Sequence, residues 1–73
     1  MALDQYLLTK HRDQWRFEKA GTNRTIVSAT TKAEAMRRMR GYMSTHGGSV
    51  RIHKANGQLQ EERTYAPVKQ LFP

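Results

Sequence analysis

Three arginines stand within four positions in the middle of the chain: Arg37, Arg38 and Arg40. A guanidinium stays charged at any physiological pH and presents a planar fork of donors, which suits it to phosphate oxygens. On a helix, Arg37 and Arg40 are three residues apart and project from one face with Arg38 beside them. Such a comb can meet successive phosphates by displacing their counterions. The plainer reading is a solvated helix face, because arginine is a good helix former and favours the C-terminal half of the dipole.

A second set is spread along two strand-like segments. Arg16 alternates with Trp15 and Phe17, and Arg51 and His53 alternate with Val50 and Ile52, so the three polar side chains point away from the apolar ones. Lys54 extends this set. A wet sheet face of this kind can approach DNA as β-sheet readers do, or simply face water.

Charge counting supports the anion reading. The chain has 73 residues, with 13 Lys and Arg against 6 Asp and Glu, a net charge of +7. The whole surplus falls between Arg16 and Lys54. Residues 1–15 balance (Lys10 and Arg12 against Asp4 and Asp13), as do residues 55–73. Clustered like charge costs folding energy and is relieved by a polyanion, with nucleic acid the leading partner.

Other chemistries fit poorly. His11, His46 and His53 form no pair at i+2 or i+4 spacing and there is no cysteine, so neither a metal site nor a disulfide is expected. Ser44 and His46 diverge on a helix, and the adjacent Glu61 and Glu62 point to opposite faces of a strand. No glycine-rich phosphate cradle is present, and a chain this short has little room for a deep reaction pocket. The expectation is a protein that is not an enzyme, with no cofactor and no small-molecule substrate. The amino terminus lacks a signal-peptide pattern and no apolar run suits a membrane span, so the expected location is the cytoplasm, without membrane contact.

The elements that must position these residues can be read from periodicity. Residues 6–9 and 15–19 read as strands, residues 20–23 as a turn and residues 24–29 as a β-branched third strand. Thr31 to Glu34 has the form of a capping box, in which the Glu34 carboxylate reaches back to the cap. The helix should run from Lys32 to His46 and stop at Gly47 and Gly48. Ala35, Met36, Met39, Tyr42 and Met43 make its apolar stripe. Gly41 inside the helix suggests close approach to a strand. Residues 49–54 and 58–64 form a hairpin around Asn56 and Gly57, a pair that favours a type I′ turn. Residues 65–73 read as an irregular tail.

The implied fold is a single α+β domain in βββαββ order: an antiparallel sheet of about five strands with one helix across one face. Its expected core is Trp15, Phe17, Ile26 or Val27, Ala35, Met36, Met39, Met43, Val50, Ile52 and Leu59. Glu61, Arg63 and Tyr65 share a face with Leu59, which predicts a cross-strand salt bridge fixing the hairpin register.

Several stretches resemble one bacterial family, domain of unknown function 2188. They are the tryptophan strand around Trp15, the Thr31-Lys32-Ala33-Glu34-Ala35 helix start, the hairpin from Val50 through Gly57 to Glu61-Glu62-Arg63-Thr64-Tyr65, and the Leu71-Phe72-Pro73 end. The chain departs from it at Ala66, where glycine is usual, and in a longer spacer before the end. The resemblance implies a compact α+β protein and no particular activity. Function is therefore expected from the basic surface: a binding module for nucleic acid or another polyanion, using Arg37, Arg38, Arg40, Arg16, Arg51, His53 and Lys54. The alternative is a protein-interaction or assembly module, including a homodimer, that uses the polar hairpin 49–64 and the C-terminal tail.

Overall fold

The computed structural model describes residues 4–22 and 24–66. They form β1 (Gln5–His11), β2 (Gln14–Lys19), β3 (Thr25–Ala29), α1 (Lys32–His46), β4 (Gly48–His53) and β5 (Leu59–Tyr65), the expected α+β order. Val68, Leu71 and Phe72 of the expected tail lie outside the described residues, and Tyr65 closes β5.

One mixed sheet contains all five strands in the order β3-β2-β1-β4-β5. The pairings β1–β2, β2–β3 and β4–β5 are antiparallel, but β1 and β4 run parallel at its centre. An entirely antiparallel sheet was expected, and the helix explains the difference. After the meander, β3 points the same way as β1. The 15 residues of α1 then carry the chain back about 22 Å, roughly one strand length, to the end where β1 began. Strand β4 therefore starts beside the start of β1 and finishes beside its finish.

Alternation along each strand builds the core. Tyr6 and Leu8 of β1, Trp15 and Phe17 of β2, Ala29 of β3, and Val50 and Ile52 of β4 all point to the helix side and are buried. They meet Ala35, Met39 and Met43 of α1, while Ile26, Val27, Met36, Tyr42 and Tyr65 pack around them half-buried. Tyr6 stacks on Phe17 with ring centroids 5.3 Å apart, and Tyr42 sets its edge against both rings. Each large apolar side chain so enclosed contributes about 1.5–3 kcal/mol. The helix is held at its start by Thr31, whose hydroxyl accepts the Glu34 N–H at 3.2 Å. It stops at Gly47, whose φ of 76° a side chain would resist.

Three local expectations are corrected. Leu59 is not in the core: it is 53% exposed. The β4–β5 register shifts between Ile52 and His53, so Leu59 pairs with His53, on the face away from Ile52, and Gln60 becomes the extra residue of a bulge. The turn between β4 and β5 is not type I′, because Gly57 takes positive φ while Asn56 does not. Asn56 instead accepts the Gln58 N–H through its side-chain oxygen. Gly41 does not face a strand. It is exposed, with open space where a Cβ would stand, and its carbonyl accepts the Ser44 and Thr45 hydroxyls.

Candidate anion-binding surface

The two arginine sets lie on opposite sides of the domain. Arg37, Arg38 and Arg40 are exposed on the outer face of α1, while Arg16, Arg51 and His53 belong to the sheet face that the helix leaves uncovered. They do not form one continuous patch.

The helical comb is also partly neutralised. Glu34 does not reach back to its cap. Its carboxylate instead accepts the Arg37 guanidinium at 2.6 and 3.2 Å and Arg38 Nε at 2.6 Å. Those bonds hold the Glu34 carboxyl below its ordinary range. Only Arg40 of the three is in no ion pair among the described residues.

On the open face, Arg51 lies 3.8 Å from Glu62, whose carboxylate also accepts the Ser49 hydroxyl at 2.9 Å. His53 is half-buried beside Leu59, and its Nδ1 is enclosed without a hydrogen-bond partner. Arg16 lies between Thr9 and Ser28 in the neighbouring strands and is in no ion pair. Glu61 and Arg63 face the helix side, paired at 2.7 Å within one strand rather than across the hairpin. That bond lowers the Glu61 pKa and raises that of Arg63. These inward-facing charges and the bulge at Gln60 blunt β5 as an edge for pairing with another chain.

The parallel pair creates a further arrangement. The parallel pairing ends with Leu8 beside Ile52, two residues before Lys10 within β1 and two before Lys54 just past β4. At the same end lie the β1–β2 turn with Arg12 and Asp13, the start of β2 with Gln14 and Arg16, and the start of α1 with Lys32. Lys32 Nζ sits 5.1 Å from the Trp15 ring centroid and donates to Gln60. Lys10, Arg12, Arg16, Lys32 and Lys54 are in no ion pair among the described residues. Asp13 stands among them, and the nearby Glu34 and Glu61 are already held by arginines. A shallow recess of about 260 Å³ is lined here by His11, Arg12, Asp13, Gln14 and Arg16.

Charge counting along the chain missed Lys10 and Arg12, because Asp4 and Asp13 cancel them in sequence. In space Asp4 lies at the other end of β1, where it pairs with Lys19 at 3.7 Å. The available signal was the two-residue spacing between β1 and β2, which places Arg12 at a hairpin tip.

Among the described residues, no group of three or more His, Cys, Asp or Glu is placed to hold a metal ion. No described helix is long and apolar enough to cross a membrane.

Residues 6–65, from the first core residue of β1 to the last residue of β5, match the family described as an uncharacterized protein conserved in bacteria, domain of unknown function 2188. The chain belongs to this family. The match spans the whole sheet and helix, so the basic strand ends of this domain of unknown function 2188 protein are built on the family's shared frame. No curated protein and no solved structure matches the chain.

Proposed function

We propose that this domain is a non-enzymatic binding module that grips nucleic acid through the basic end of its sheet and the adjoining open face. One observation carries the reading. Cations distant in sequence share the sheet end where β1 and β4 finish, Lys10 in register with the helix-side Trp15 and Arg16 on the open face, and Lys10, Arg12, Arg16 and Lys54 are left without carboxylate partners among the described residues. Of the seven residues expected to bind, Arg16 and Lys54 are central to this surface. Arg51 and His53 flank it, and Arg37, Arg38 and Arg40 lie behind the helix.

The chemistry favours phosphates over stacked bases. Single-stranded nucleic acid is commonly held by aromatic side chains on an exposed sheet. Here Tyr6, Trp15, Phe17, Tyr42 and Tyr65 all serve the helix side. The open face offers Thr9 and Thr64 as hydrogen-bonding groups beside its cations, and Gln14, whose Oε1 accepts the Ser28 hydroxyl at 2.7 Å, keeps its amide N–H groups as donors. Five strands at about 4.8 Å spacing are also too broad to enter a major groove of about 12 Å, which points to contacts along the backbone.

Size-exclusion chromatography with mixed-sequence duplex and single-stranded DNA, at low and moderate salt, tests this reading. Co-elution with the duplex that weakens as salt rises supports it. Separate elution of protein and both DNAs at low salt contradicts it.

A further inference from the structure

The tip of the β1–β2 hairpin holds a backbone conformation that its sequence does not favour. Arg12 has φ 59°, and no other described residue except glycine has positive φ. The hairpin closes with His11 opposite Gln14, so Arg12 is the first of only two turn residues. Glycine is the residue that suits positive φ at this place in a tight hairpin. An arginine there carries a conformational cost, and costs of this kind cluster where a side chain is needed for function.

Arg12 is exposed, in no ion pair among the described residues, and lines the same recess as Arg16, His11 and Gln14. Two arginines and two further polar residues bound one shallow depression. Asp13 also lines it, and its negative charge opposes an incoming anion.

We infer that this recess is a phosphodiester seat and that Arg12, held in a strained turn, is its leading contact. The inference rests on the nucleic-acid reading above and assigns it a specific site. Here the two arginines converge on one phosphate group, His11 and Gln14 offer hydrogen bonds at the margin, and Asp13 weakens the grip.

Titration of a fluorescently labelled DNA duplex, read by anisotropy, separates the two levels of the argument. Arg12→Asn removes the charge while keeping a residue that tolerates positive φ. It is expected to lower affinity about five- to tenfold and to reduce the salt slope by about one unit, the mark of one lost phosphate contact. Arg12→Lys should retain most of the affinity, and Asp13→Asn should raise it about two- to threefold. Arg12→Gly should weaken binding as Arg12→Asn does, while the thermal midpoint is held or raised. If the wild type binds and Arg12→Asn binds equally well with the same salt slope, this seat is wrong while the nucleic-acid reading stands. If the wild type leaves the duplex unbound at low salt, both fall.

Discussion

Leu8 of β1 and Ile52 of β4 lie side by side in the parallel pairing at the centre of the sheet, and both are fully buried. That pair joins the first strand of the chain to its second half, and so brings the end of β4 alongside the β1–β2 hairpin. Truncating either residue removes packing from the central seam between β1 and β4. Leu8→Ala or Ile52→Ala should each cost about 2–5 kcal/mol. A domain of this size has only a few kcal/mol to lose, so loss of the cooperative unfolding transition near room temperature is the expected outcome, read by circular dichroism.

Two glycines should respond in opposite directions. Gly41 is a helical glycine with open space around it, so Gly41→Ala is expected to stabilise by up to about 1 kcal/mol. That gain raises the thermal midpoint by about 4–8 °C in a domain this small. At Gly48, with φ 130°, a Cβ would lie 2.7 Å from the Asp4 carbonyl oxygen and 2.9 Å from Tyr6. Gly48→Ala should lower the midpoint, and a rise there would contradict the packing of β4 against β1.

Acid should weaken the fold through its arginine-bound carboxylates. Glu34 and Glu61 are both held below the ordinary value of 4.5 by their arginine partners. A carboxyl with a lowered folded pKa contributes stability that is present above its unfolded value and disappears as pH falls through the folded one. Thermal midpoints should therefore hold steady from pH 7 to about 5 and decline below 4.5. Glu34→Gln should flatten part of that decline, and screening by salt should do the same because neither pair is fully shielded from water.

Alkali acts through Tyr6. Burial, with the neighbouring Tyr42 hydroxyl adding to it, pushes its hydroxyl from 10.0 up to about 12. The folded state thus prefers the neutral phenol, and its stabilisation is complete below pH 10 and fades as pH rises toward 12. Tyr6→Phe should show a shallower loss of stability across that window. An unchanged slope would place the Tyr6 hydroxyl in water.

Helix α1 was legible to the residue, because Thr31 caps it and Gly47 ends it by local chemistry alone. The strands of the meander were legible for a similar reason: alternation is a local signal, and Trp15 and Phe17 declared their face. The parallel seam was not, because it depends on where a helix returns the chain rather than on any property of residues 5–8 or 49–52. Leu59 misled because one bulge residue, Gln60, reverses the face of what precedes it. The cations were counted along the chain, without their neighbours in space. Arg37 and Arg38 looked free until Glu34 was placed between them, and Arg12 looked cancelled until Asp4 was seen at the far end of its strand.

The central claim is that the basic strand ends, and not the helix, meet the phosphates. Duplex affinity measured by anisotropy across a salt series tests it most directly, comparing Arg12→Asn/Arg16→Ala/Lys54→Ala with Arg37→Ala/Arg40→Ala. The first variant should lose more than tenfold in affinity, with its salt slope reduced by about 1.8 units for the phosphate shared by Arg12 and Arg16 and the one met by Lys54, while the second stays close to wild type. A larger loss on the helix face, or an unchanged slope in the strand-end variant, would contradict the account.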